Sequence, residues 1–441
     1  MRRELVIFML VTLAPPTIAE AQTPQGDRQT PMAPRFVDRV NGVTLDQAIQ
    51  QALGQEPGLR AARADIDVAR GLSVQAALKP NPTVTFSQLT EPAGTDAQTR
   101  VDVQWPLDLF RKTGRVNVAA REVEATKAAT AERERLLVSS VRLKFGDVLA
   151  AVRELSVTDE LVAVTSRQHM LMAARAEEGA VPPLERDMIR VELHRLEADR
   201  MLQVGGAEQA LIELKRLLGL GADAPLTLRE DLEQAVVRET ATDLVAPANP
   251  TAAIRPDVGE AEARVNAADA RIDRAQRDGR LDVSLFGMYM RTDSGFAQRG
   301  FGPENTLERV RGVFHNIGAG VMVSVPLRDR KQGDVAAAQA HRVGAEAQLD
   351  ARRLTVQAEI AAARARDEQA RRALVLYTET RELAKRNLDV VSQTYDVGRM
   401  TLVDVLNERR RYLDTQRAYT NALREAFNAR QALRTALGDV R

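Results

Sequence analysis

Two stretches constrain the fold more than any other part of the chain: GAVPPLERDMIRVEL from Gly179 and GRMTLVDVLNERRRYL from Gly398. They start 219 residues apart, and each interrupts a long helical pattern. Before Gly398, an Ala/Arg/Glu-rich run reaches back to about Arg330 without a proline; after it, a second run continues to Leu437. Glycine accepts the left-handed backbone that ends a helix. Thr401 then caps the next helix, with Asp404 at its third position in a capping-box pattern. The chain is therefore expected to build the tip of a long helical hairpin twice, as one unit duplicated. With 28% charged and only 4% aromatic residues, its composition suits long helices rather than a compact aromatic core.

In chain order, Arg2 and Arg3, the apolar run Leu5–Leu13 and Ala19-Glu20-Ala21 read as a secretory signal over 1–21. Residues 22–43 form an extended leader. A first repeat spans 44–220, a connector 221–255 with a short helix near Glu230–Val237, and a second repeat 256–438. In the first repeat, two helices end at Lys79-Pro80-Asn81-Pro82, which no helix can continue through. Two strands follow, Thr83–Leu89 and Arg100–Pro106. From about Val116 to Glu178 an unbroken rod is expected, with a coiled-coil seam at Val157, Leu161, Val164, Gln168 and Leu171. The second repeat has the same order, with Val283–Arg291 and Val321–Leu327 as strands. The offset between repeats grows by about 20 residues inside this hairpin, which predicts a longer loop over Thr292–Asn316. The returning arm keeps a 4-3 spacing through Leu402, Leu406, Arg409, Leu413, Gln416, Thr420, Leu423 and Phe427.

The strands alternate. Val101, Val103 and Trp105 share one face, Arg100, Asp102 and Gln104 the other, and Val321, Val323 and Val325 repeat the apolar face. That is the lipid-out, lumen-in pattern of a membrane barrel, yet four strands cannot close one, since about eight is the practical minimum. Several chains pooling their strands would remove every open edge. No later segment reaches the ~18–20 apolar residues of a spanning helix.

The signal, the KPNP before the first strand, the QWPLDLFRKTGR exit, the paired repeats and the YDVGRMTLVDVLN tip together resemble the TolC family of outer-membrane efflux proteins. KPNP resembles its cation-efflux, CzcC-like branch more than TolC itself. The resemblance covers nearly all of the chain after the signal. It implies a mainly α fold with a β-barrel portion: a homotrimer making a 12-stranded outer-membrane β-barrel and a periplasmic 12-helix α-barrel. The implied function is the outer-membrane exit duct of a tripartite efflux system in a Gram-negative bacterium. Its partners would be a periplasmic adaptor and an inner-membrane pump, usually of the resistance-nodulation-division type. Residue by residue, Tyr395 matches a position that holds the inner helices closed. Asp404 matches a constriction carboxylate, and Asn407 stands where a second acid can occur. Glu185 is the first-repeat equivalent of Asp404. Gly179, Val181 and Leu184 in one tip, and Gly398, Arg399, Met400, Thr401 and Leu402 in the other, are the expected adaptor contacts.

Other classes fit less well. The chain has no cysteine, which excludes thiolate chemistry and a lipid anchor of the lipoprotein kind. Its net charge of +1 gives no draw toward nucleic acid. No nucleophile, acid–base dyad or phosphate loop is recognisable, so no enzyme and no cofactor are expected. His169, His194, His315 and His341 have no ligand spacing, and Met170/Met172 and Met288/Met290 read as apolar fillers before they read as a copper site. Arg409-Arg410-Arg411 reads as a solvated or inter-helix pairing face. The exit duct of a type I protein-secretion system and a soluble periplasmic coiled-coil scaffold are the alternatives. The apolar alternation counts against the scaffold. The exported substrate is not readable from the residues.

Overall fold

The computed structural model describes residues 33–92, 96–241 and 255–439. The signal expected over 1–21 and parts of the leader and connector lie outside the described residues. Helices α1 (Leu45–Gln55) and α2 (Pro57–Ala77) lead into strands β1 (Thr83–Thr90) and β2 (Ala97–Pro106). The hairpin α3 (Lys112–Glu177) and α4 (Pro183–Leu217) follows, then α5 (Leu232–Ala241). The second half is α6 (Pro256–Asp278), β3 (Asp282–Phe301), β4 (Leu307–Ser324), α7 (Gln332–Asp396) and α8 (Leu402–Ala436). The start signals are local. A full capping box joins Thr44 and Gln47 at α1, and prolines occupy the first turns of α2, α4 and α6.

At 66 and 65 residues, α3 and α7 are rods of about 100 Å. α2 covers the N-terminal part of α3, where Arg63 pairs with Glu134 at 2.8 Å; α4 covers the rest, where Arg200 pairs with Asp159 at 2.7 Å. In the second half, α6 and α8 cover α7 in the same way through Arg342–Asp269 and Arg366–Glu425. α3 packs on α6 and α8, which joins the two halves side by side. The expected seam of α8 is fully buried, from Leu402 to Phe427. The expected seam of α3 needs correction. Leu161 is buried, but Val164 and Leu171 are exposed, and Leu155, Thr158, Val162, Thr165 and Met172 take the buried positions. A rod held between α4 and α8 buries a broader stripe than a single two-helix seam, so a one-partner heptad misplaces its centre.

The main core lies about halfway along the rods. Phe145, Leu149 and Leu155 of α3 meet Leu214 and Leu218 at the end of α4, Leu232 of α5 and Phe427 of α8. The leader is docked here: Val37 and Val43 both bridge to Leu228 in the connector. A buried ion-pair group closes the other end of α8. Arg135 and Arg255 donate to the carbonyls of Thr435 and Ala436 at 3.0 Å, and Arg255 also pairs with Asp257 and Glu359. These are carbonyls of the last turn, where the regular helical ladder ends and Thr435 O accepts a turn bond from Gly438 N at 3.1 Å, so the guanidinium groups complete their bonding and oppose the negative end of the helix dipole.

The four strands form one antiparallel sheet in the order β1-β2-β3-β4. The long loop expected over Thr292–Asn316 is absent. Those residues continue β3 and β4 as a paired ribbon, and only residues 302–306 turn. Extra length between repeats can extend a hairpin as well as loosen it, and backbone pairing in the ribbon satisfies donors that a loop would leave to solvent. β1 and β2 end opposite Asp293, so the outer part of β3–β4 projects beyond them. Val325 is likewise corrected: it lies one residue past β4, at the junction with the helices.

Candidate functional site

Both tips are built by the same turn. Gly179 and Gly398 have φ of +76° and +74°. Ala180 N donates to Arg175 O and Gly179 N to Ala176 O, at 2.8 and 3.1 Å. Arg399 N donates to Thr394 O and Gly398 N to Tyr395 O, at 3.0 and 2.8 Å. These are paired Schellman bonds that satisfy the last carbonyls of α3 and α7. A side chain in place of either glycine would meet nothing, so the constraint is backbone conformation alone.

Under the tips, Met172, Ile189, Leu402 and Leu406 form a small core against which Val181, Met188 and Tyr395 pack. Leu402, expected on the contact surface, is therefore inside this core at 7% exposure. It is the first residue of α8, and its position on the buried seam turns it inward. Leu184, Arg399, Met400 and Thr401 are exposed, and Val181 is half-buried.

The structure brings Tyr395 and Glu185 together. The Tyr395 hydroxyl donates to Glu185 Oε2 at 3.2 Å, tying the last turn of α7 to the first turn of α4. Burial, then the Glu185 charge, pushes the Tyr395 hydroxyl above its ordinary pKa. Asp404 is not part of this pair. Its Oδ2 accepts from Thr401 Oγ1 at 2.7 Å and from Thr401 N at 3.0 Å, completing the capping box. Those bonds hold its carboxyl below the ordinary carboxylate value. Asn407, one turn on, is exposed.

Two further clusters hold the hairpins together: one contains the Arg409-Arg410-Arg411 run, expected as a solvated or inter-helix pairing face, and the other was singled out by no residue pattern. Arg409 is 3% exposed and donates to Thr165 Oγ1 at 3.0 Å and Gln168 Oε1 at 2.6 Å on α3, so the middle of the tip half carries a buried cation. Its neighbour Arg410 reaches Glu192 of α4, and Arg411 pairs within α8 with Glu408. Arg409 and Arg410 thus take the inter-helix pairing side of the expectation, while Arg411 stays exposed. Farther up, Glu233 Oε1 of α5 accepts from Arg153, Arg381 and the Tyr419 hydroxyl at 2.7 to 3.0 Å. Arg381 lies 4.4 Å over the Tyr419 ring. These four residues come from four separate helices, so no spacing in one segment reveals them.

In the sheet, the register assembles an apolar face. Val101 lies between Phe86 and Tyr289, and Val103 between Val84 and Gly287. Trp105 and Val321 flank Leu285, and Val323 pairs with Val283. The other face holds Arg100, which pairs with Asp102 at 2.8 Å, together with Gln98 and Gln104. Phe286 falls on this polar face, opposite Gln104, with its ring laid across Gly320. Among the described residues no group of three or more His, Asp and Glu is arranged to hold a metal ion. No described helix is long and apolar enough to cross a membrane.

The model of the outer membrane efflux protein family matches residues 48–220 and 250–439. The cobalt-zinc-cadmium resistance protein CzcC of Cupriavidus metallidurans is 21% identical over 437 residues, covering 98% of this chain and 99% of its own. Among solved structures, CusC superposes with a TM-score of 0.71 at 19% identity, covering 91% of this chain and 93% of CusC. The open state of the Neisseria gonorrhoeae outer membrane channel MtrE gives 0.69 at 18%, covering 98% of each chain. The two superpositions show a shared fold.

Proposed function

The chain belongs to the outer membrane efflux protein family, and on that premise we propose that three copies assemble into one continuous duct from the periplasm to the exterior. The observation that carries the proposal is the pair of unfinished flanks in a single chain. In the sheet, β1 and β4 each leave one edge without a partner among the described residues. Because all pairings are antiparallel, β4 of one copy can pair with β1 of the next and keep the alternation. Four strands from each of three chains make 12, enough to close. In the helical part, Leu354, Leu376, Leu383 and Val390 of α7 and Leu72, Val191, Met201 and Leu202 of α2 and α4 are exposed. Such apolar flanks on both sides of one protomer match the heterologous contact of a closed ring.

In this assembly each repeat, 44–220 and 256–438, supplies two strands and one helical hairpin. Val101, Val103, Trp105, Val321 and Val323 face lipid; Asp102 and Gln104 face the lumen. The two tips lie at the end farthest from the sheet and dock a periplasmic adaptor through Gly179, Leu184, Gly398, Arg399 and Met400. Tyr395 and Glu185 hold the tips in their resting arrangement, and three copies of Asp404 form an acidic constriction. The energy for transport comes from a partner pump of the inner membrane. CzcC is named for resistance to cobalt, zinc and cadmium, and divalent cations are the cargo this reading favours. Oxygen ligands at Asp404 suit transient passage of such ions better than retention.

The test is the mass and heat-stability of the detergent-extracted protein, together with a metal and drug sensitivity profile of a deletion strain. A trimer with mixed helix and strand signals is expected. A monomer recovered from the soluble periplasm would overturn the assembly, and unchanged metal sensitivity would overturn the cargo.

A further inference from the structure

The chain crosses between sheet and helices four times, and every crossing carries basic side chains. They are Lys79 before β1, Arg111 and Lys112 after β2, Arg280 before β3, and Arg328, Arg330 and Lys331 after β4. Only Asp108, Asp282 and Asp329 oppose them in these segments, although acids and bases nearly balance over the whole chain. The acids are already engaged. Asp282 pairs with Arg111 at 3.1 Å, Asp108 with Arg115 at 2.7 Å, and Asp329 Oδ1 accepts from Lys331 N at 3.0 Å. Lys331 pairs with Asp334 at 3.4 Å. Lys79, Arg280, Arg328 and Arg330 are exposed and Lys112 is half-buried, and no acid lies within ion-pair distance of these five among the described residues.

The same junction is apolar toward the outside. Leu78, Leu109, Leu281, Val325 and Leu327 are exposed there, in continuity with the apolar face of the sheet at Val321 and Val323. Between the ends of α6 and β4 lies a cleft of about 330 Å³ lined by Phe110, Arg280, Leu281, Val325, Pro326 and Arg330. Its shape depends on two backbone features. Arg330 passes so close to Gly279 that any Cβ there would overlap the Arg330 carbonyl oxygen. Lys331, at φ +60°, then turns the chain sharply into α7. The result is a mainly apolar cleft with two exposed arginines, Arg280 and Arg330, among its lining residues.

We propose that this cleft is a binding site for an anionic phospholipid of the periplasmic leaflet, with Arg280 and Arg330 on the phosphate and the acyl chains along Leu281, Val325 and Val323. The belt of unpaired cations at the other crossings extends the same attraction around the barrel. Three observations favour a lipid over a free phosphate. The cleft is lined mainly by apolar groups; it adjoins the apolar band of the sheet at Val323 and Val325; and it lies at the level where a sheet enclosed by lipid meets helices that cannot enter it. The inference rests on the outer-membrane placement of the sheet, and not on the gate or the cargo.

The experiment uses the full-length protein, stripped of lipid in an uncharged detergent and titrated with phosphatidylglycerol under native mass spectrometry. Saturable binding of one lipid per chain is expected. Arg280→Gln with Arg330→Gln should weaken it about thirtyfold, from two basic groups at a charged surface. Arg280→Lys with Arg330→Lys should retain most of the binding, and Arg309→Gln with Arg311→Gln on the projecting ribbon should not change it. Glycerol phosphate and inorganic phosphate at the same concentration should fail to displace the lipid. Unchanged binding in the double Gln variant, equal binding of phosphatidylcholine, loss in both the Gln and the Lys variants, or displacement by inorganic phosphate would each overturn the proposal. The same spectra read the number of chains, so failure of the trimer is seen separately from failure of the lipid site.

Discussion

Replacing Tyr395 by Phe removes one hydroxyl and keeps the ring that packs on Met172, Ile189, Leu402 and Leu406. What is lost is the 3.2 Å bond to Glu185 between α7 and α4. A hydrogen bond to a charged acceptor contributes ~1.5–3 kcal/mol when buried. Here both partners are only half-buried, and solvent reduces the figure to about 1 kcal/mol. In a three-fold assembly the three copies act on one closed-to-open equilibrium, about 3 kcal/mol in all, or roughly a hundredfold change in its constant. The assay is single-channel recording in planar bilayers. Tyr395→Phe should increase the open fraction strongly while leaving thermal unfolding nearly unchanged, because no apolar contact is removed. The Tyr395 hydroxyl has its folded pKa above the ordinary 10.0, so its contribution is complete below pH 10 and is lost as pH rises through the folded value. The native channel should therefore open further in strong alkali, and the Phe variant should lack that step. Equal open fractions for the two proteins at neutral pH would refute the latch and leave Tyr395 as a packing residue.

Three other outcomes are expected. Val103→Lys should cost about 2–4 kcal/mol in a urea titration in lipid vesicles if Val103 faces the bilayer midplane, and Gln104→Lys should cost little; equal costs would reverse the facing assignment. Asp404→Ala removes a charge and also breaks a capping box, a loss of ~0.5–2 kcal/mol, whereas Asp404→Asn can keep the cap. If Asp404 forms the constriction, both variants should relieve block by divalent cations added on the periplasmic side, and persistence of the block in Asn would place the constriction elsewhere. Gly179→Glu with Gly398→Glu imposes side chains at φ near +75°, about 1–2 kcal/mol per turn. The protein should still reach the outer membrane, but export through the adaptor should fail, as read by metal resistance in a complemented deletion strain; full resistance would argue against docking at the tips.

The sequence by itself determined the parts of this protein that depend on local chemistry and on period. The tip turns follow from a glycine that must take positive φ and a Thr-x-x-Asp that can cap, and they appear at Gly179 and Gly398–Asp404 as expected. The eight seam residues of α8 were placed correctly because one side of that helix faces its partners along its whole length. Tertiary structure decided what depends on how many neighbours an element has. α3 lies between α4 and α8, so its buried stripe is broader than the heptad drawn for one partner, and Val164 and Leu171 face outward. Residues 292–316 contain too few strict alternations to read as strand, and only pairing between β3 and β4 makes them one. Leu402 reads both as the first seam residue and as a tip contact, and the packing of Met172 and Ile189 against it decides for the seam. Tyr395 and Glu185 are 210 residues apart, and Glu233 is gathered with Arg153, Arg381 and Tyr419 from four helices. Local spacing reports a residue's own turn and face; it carries no information about which distant side chain the packed rods bring opposite.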